Sequence, residues 1–146
     1  MALQSVALAF APSALLAKTI SRFSLSSTGH ALGGYDTTAY FGAGVAKDGT
    51  DAVTINWKGA IWRFARQEDA VLFQANPEAY APQFGGYCTR AMSLGKDVPG
   101  DPEVWRIYEG KLYVFFAARG GEVFDSQAEE MIARAQAHWS TLTFFE

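Results

Sequence analysis

Two stretches of alternating residues, each broken by a glycine-bearing pair, constrain this fold more than any other feature of the chain. In the first, Val53-Thr54-Ile55-Asn56-Trp57 meets Lys58-Gly59 and resumes as Ile61-Trp62-Arg63-Phe64. In the second, Val104-Trp105-Arg106-Ile107-Tyr108 and Lys111-Leu112-Tyr113-Val114-Phe115-Phe116 flank Glu109-Gly110. A strand's period of two puts Val53, Ile55 and Trp57 on one face, with Thr54 and Asn56 on the other. A short turn containing glycine between β-rich runs closes a hairpin. The two units look alike, but no register long enough to mark a true repeat runs through them.

Helices fill the spaces around the hairpins. Residues 66–75 carry Glu68 and Asp69 in a first turn, where acids favour the positive end of the helix dipole. Asn76-Pro77 ends that helix, since a residue before proline avoids the α region, and residues 77–80 start one more turn. Residues 91–94 read as a short helix or turn. From 122 to 139, Val123, Phe124, Ala128, Met131, Ile132, Ala135 and Trp139 line one face of a long C-terminal helix. The expected class is α+β, with a small antiparallel sheet built from two β-hairpins and helices packed on it.

With 146 residues the chain has the size of one domain and can bury a core without staples. Aromatic residues make up 14% of it, and each ring can bury roughly 150–250 Å². Twelve basic residues against fifteen acidic ones leave a net charge of −3. Without a basic run, that surface is a poor partner for a nucleic-acid backbone. Residues 1–17 are uncharged and largely apolar, then residues 19–27 turn to serine and threonine, as in a linker. The opening reads either as a helix packed on the domain or as an export signal. Lys18 and Arg22 follow the apolar run where a signal would carry its basic residues first. It is short for a span of about 20 residues, and no other stretch could cross a bilayer. Residues 1–32 thus form an apolar segment and linker, and residues 33–146 the domain.

The chemistry concentrates at Phe84-Gly85-Gly86-Tyr87-Cys88-Thr89-Arg90, which holds the only cysteine. One thiol cannot close a disulfide within the chain, so Cys88 is either a small buried hydrophobe or a reactive, metal-seeking group. Gly85 and Gly86 open the backbone to close approach, and Arg90 supplies positive potential. His30 and His138 are the only histidines. A soft ion such as copper or zinc at Cys88 would need one of them and a carboxylate or Met92. Against this stand an exposed loop position for His30 and a helix-end position for His138. A Cys–His catalytic pair lacks any supporting spacing. Tyr35 and Asp36, with Tyr40, form either a polar cluster or a cap with core packing.

These segments together resemble the YHS-domain family, in particular its exported single-domain members. The matching pieces are Gly34-Tyr35-Asp36-Thr37-Thr38-Ala39-Tyr40-Phe41, the strands at 53–57 and 61–64, Asn76-Pro77-Glu78-Ala79-Tyr80 and Gln83-Phe84-Gly85-Gly86-Tyr87-Cys88. Asp101-Pro102-Glu103-Val104-Trp105, Gly110-Lys111-Leu112-Tyr113 and Ala137-His138-Trp139 continue the match. The resemblance spans about residues 33–142 in the family's order. It implies a small α+β unit, export to the periplasm or outside, and a superfamily tie to heavy-metal handling. The name-giving histidine is absent, since the strand reads Ile61-Trp62-Arg63-Phe64-Ala65, and so are the cysteines of metal-linked relatives. Only Cys88 matches a family motif residue with chemical reach. The reading is therefore a binding domain rather than an enzyme, with a metal-ion or small-ligand site built from Cys88, Gly85, Gly86, Tyr87, Arg90, Tyr35 and Asp36. The alternatives are a partner-docking or homodimerising module with a structural Cys88, and thiol redox chemistry at Cys88.

Overall fold

The computed structural model describes residues 17–145, together with Ser5 and Ala7. The packing-helix and export-signal readings of the apolar opening lie outside the described residues. Six strands and four helices follow in the order β1 (Thr19–Ser21), β2 (Thr50–Trp57), β3 (Ala60–Phe64), α1 (Gln67–Ala75), α2 (Pro77–Tyr80), α3 (Thr89–Ser93), β4 (Asp101–Tyr108), β5 (Lys111–Phe115), α4 (Ala118–Trp139) and β6 (Thr143–Phe145). The class is α+β, as the alternation and helical spacing indicate. Each hairpin stands as its own two-stranded antiparallel sheet. Their turns, Lys58-Gly59 and Glu109-Gly110, hold both residues at positive φ, the backbone that matches the right-handed twist of the flanking strands.

A third pairing was not legible along the chain. β1 and β6 lie parallel, Ile20 opposite Phe144, so the serine- and threonine-rich stretch contributes a strand. Ile20 and Phe23 are buried with it. Phe144 packs on Trp139 with ring centroids 4.6 Å apart, and the Arg22 guanidinium lies 4.7 Å over its face. Phe144→Ala should therefore lower the unfolding free energy by about 2 kcal/mol, measured by urea denaturation. An unchanged midpoint would mean that this closing pair adds nothing to stability.

The two halves repeat one backbone path, although the residues of the hairpins show no register long enough to mark a repeat. The 3₁₀ turn Leu32–Gly34 has φ values of 53°, 62° and 84°, and Phe84-Gly85-Gly86 has 53°, 62° and 82°. Behind these turns, the Asp36 amide donates to the Lys47 carbonyl at 2.7 Å and the Cys88 amide to the Val98 carbonyl at 2.7 Å. Gly49 donates back to Gly34 at 2.9 Å, and Gly100 to Gly86 at 3.0 Å. β2 and β4 each span eight residues and β3 and β5 five. The register slips between Thr50 and Thr54 in one hairpin and between Asp101 and Trp105 in the other. Each second strand leads into a helix, α1 or α4. The backbone path repeats while the side chains differ, which is why residue identity hides the correspondence.

The core falls into linked clusters. Trp62, Phe64 and Phe73 centre the first half, with Phe23 joining from the N-terminal side. Tyr113, Phe115 and Phe124 centre the second, under Met92, Met131 and Ala135. Leu32, Tyr40, Leu112 and Val114 join the halves. α4 begins at Ala118, before the expected Glu122, and takes Gly120-Gly121 into its first turn. A Cβ at Gly120 would sit 3.1 Å from that of Phe115, and one at Gly121 2.9 Å from the Arg106 guanidinium. Close packing on β5 and on Arg106 thus overrides the weak helix propensity of glycine.

Candidate functional site

Gly85 and Gly86 hold the turn before Cys88, but their space belongs to the chain itself. A Cβ on Gly85 would fall inside contact distance of the Arg22 carbonyl oxygen and 3.2 Å from the Phe23 Cα. Ser24 donates its amide to the Gly85 carbonyl at 2.8 Å. The glycine therefore admits the N-terminal strand segment rather than an outside molecule. A Cβ on Gly86 would lie 3.4 Å from the Pro82 side chain. Tyr87 is equally engaged: its hydroxyl donates to the Ser21 carbonyl at 2.9 Å, and burial pushes its phenol pKa up.

Cys88 is 3% exposed and caps α3, its Sγ accepting from the Ala91 amide at 3.4 Å. Above it opens a cleft of about 540 Å³. Ala91, Leu94, Val98, Phe116 and Gly120 form its apolar walls, with Arg90, Lys96 and Arg119 also lining it. Leu94 is 61% and Phe116 65% exposed, a high exposure for large apolar groups side by side. Arg119 pairs with Glu122 at 3.5 Å. Among the described residues, neither Arg90 nor Lys96 has a carboxylate within ion-pair distance. Apolar walls beside free cations suit a ligand with a hydrocarbon body and a negative end.

Asp36 stands apart from this cleft, in the first half. It is fully buried. Its Oδ1 accepts from the Thr38 amide at 2.9 Å and the Thr38 hydroxyl at 2.7 Å, and its Oδ2 accepts from the Ala65 amide at 2.9 Å. Burial raises its pKa above the usual carboxylate range, and the hydrogen bond with Asp69 raises it further. Asp69 is held low by hydrogen bonding to Arg66, whose guanidinium nitrogens lie 2.9 and 3.2 Å away. Of the two carboxyls, Asp36 is the one held up and Asp69 the one held down. Tyr35 donates to Glu103 at 2.9 Å, and that bond above all pushes its phenol up to about 12. Tyr35 and Asp36 do staple turn to strand and helix, and they do not meet Cys88 in one site.

The histidines are also dispersed. His30 sits beside β3, its Nδ1 2.7 Å from the Thr28 hydroxyl and its Nε2 3.7 Å from Asp51. His138 ends α4 near Gly95, with its Nε2 buried and unpartnered among the described residues. No group of three or more His, Cys, Asp or Glu side chains comes together among the described residues. No described helix is long and apolar enough to cross a membrane. A broader depression of about 650 Å³ lies between Arg22, Leu25, Lys58 and Phe145. Its cations are engaged, Lys58 with Glu78 and Arg22 over Phe144.

Of the residues singled out along the chain, only Cys88 and Arg90 border the cleft. Leu94, Lys96, Val98, Phe116, Arg119 and Gly120 were missed. One signal for them is the opening of α4, Ala118-Arg119-Gly120-Gly121, which has no acid in its first turn where α1 has Glu68 and Asp69. Compared with protein-family models, curated proteins and solved structures, the chain matches none of them.

Proposed function

We propose that this chain is a small, non-enzymatic binding domain of the YHS type, its ligand held in the cleft above Cys88. The observation that carries this reading is the cleft itself: a volume in the range of small-molecule sites, apolar walls, and two cations without partners among the described residues. A nucleophilic thiol needs a base within hydrogen-bond reach. Among the described residues, the Cys88 sulfur meets only the Ala91 amide. A copper or zinc site needs further ligands that converge, and among the described residues no group of three His, Cys, Asp or Glu does so. An organic molecule is therefore favoured over a metal ion.

The test is an amide-resolved NMR screen of the full chain against zinc ion and a mixture of small apolar, cationic and anionic fragments. Shifts confined to Ala91, Leu94, Phe116 and Gly120, produced by fragments and not by zinc, are the expected result. Shifts only on other faces, or none, overturn the reading. A second copy of the chain covering Leu94 and Phe116 is the competing occupant, favoured by their exposure. Light scattering that finds a dimer lost in Phe116→Glu would establish that alternative.

A further inference from the structure

The duplicated fold provides an internal template for what this cleft accepts. In the first half, the residue after the Gly-Gly-Tyr turn is Asp36, the residue after the second strand is Ala65, and the third residue of the helix is Asp69. The second half places Cys88, Phe116 and Gly120 at those positions. Asp36 there takes the Ala65 amide as well as the Thr38 amide. Among the described residues the Phe116 amide, counterpart of the Ala65 amide, donates to no acceptor. The two carboxyls of the first half have no counterpart here, and among the described residues no other carboxylate pairs with the cations of the cleft except Glu122 with Arg119. In their place stand a short thiol, a glycine and the cleft. Thr38, which holds Asp36, is Arg90 in the second half, and Lys96 and Arg119 add positive charge at the cleft.

We infer that the ligand is an apolar monocarboxylate whose headgroup fills the position that the Asp36 carboxyl holds in the first half. Its hydrocarbon body lies against Leu94, Val98 and Phe116, and its charge faces Arg90 and Lys96. Removing a carboxylate from water stabilises a complex only where cations and amide donors receive it, and this cleft offers both. A cationic ligand would meet like charge, and a neutral one would leave the guanidinium of Arg90 facing an apolar group. This inference rests on the cleft being the binding site.

The experiment titrates the full chain with octanoate, octan-1-ol and octylammonium, followed by amide shifts at Leu94, Phe116 and Gly120. Octanoate should bind at least tenfold more tightly than octanol, and octylammonium should not bind. Cys88→Asp keeps a helix-capping side chain and places an internal carboxylate where the ligand's would lie. It should lose tenfold or more in octanoate affinity while retaining the native spectrum. If that variant does not fold, Arg90→Gln combined with Lys96→Gln serves instead and should bring octanoate down to the affinity of octanol. Equal binding of octanol and octanoate at these amides overturns the carboxylate assignment and leaves the cleft as a site. No response at these amides to any of the three overturns the assignment and the site together.

Discussion

Gly85→Ala is expected to be strongly destabilising and to lower the melting temperature well below that of the wild type. The added methyl would meet the Arg22 carbonyl oxygen and lie 3.0 Å from the carbon that bears it. These are backbone atoms of a crossing segment, so no side-chain rotation relieves the overlap. The φ of +62° at Gly85 adds a conformational penalty of about 1 kcal/mol. Separating the two segments would break the Ser24–Gly85 hydrogen bond and expose Phe23 and Ile20. A loss of about 4 kcal/mol or more follows, a large part of the total stability of a single domain. Circular dichroism through a thermal ramp measures it directly. Gly110→Ala is the control: its φ of +73° is equally unfavourable, but nothing lies within 4 Å of the added methyl. It should cost only about 1 kcal/mol. Similar losses for the two substitutions would show that backbone strain, not the crossing segment, sets the effect.

Asp36→Ala is the second large perturbation, at about 3–4 kcal/mol, because it leaves buried donors on Thr38 and Ala65 without an acceptor. The pH dependence identifies which form of the carboxyl is native. Asp36 has a raised folded pKa, so its contribution is fully present below the ordinary aspartate value and declines as pH rises through the folded value. Asp69, held low by Arg66, contributes in the opposite sense: its share is present above the ordinary aspartate value and lost as pH falls through the depressed one. Asp36→Asn keeps an acceptor for Thr38 and a donor for Asp69, and loses only the acceptor for Ala65. Its deficit relative to the wild type should therefore shrink as pH is raised from about 4, because the wild type alone loses the proton. Urea midpoints for both proteins between pH 4 and 7 measure this. A deficit that grows with pH would mean that Asp36 is ionised in the native state.

The cleft and the buried carboxyl pair occupy matching places along one repeated backbone path. Asp36 and Asp69 close their half against α1, satisfying the donors around them from within the chain. In the second half the Cys88 sulfur accepts from the Ala91 amide alone among the described residues, and Gly120 brings no side chain. A metal ion and a small organic ligand would both meet Cys88. What distinguishes them is the set of side chains that β5, α3 and the start of α4 bring around it.

Period-two alternation around Lys58-Gly59 and Glu109-Gly110 was enough to specify the hairpins, because turn chemistry and strand pairing act over a few residues. The buried face of α4 was equally legible in the spacing of Phe124, Met131 and Ala135. Tertiary structure alone decided that Gly85 serves the crossing of Arg22 and Phe23, that β1 closes on β6, and that Cys88 faces a basic cleft shared with Phe116 and Arg119. Those outcomes depend on groups distant along the chain meeting in space. Local patterns carry the preferences of neighbours, and only the packed chain determines which distant groups share a surface.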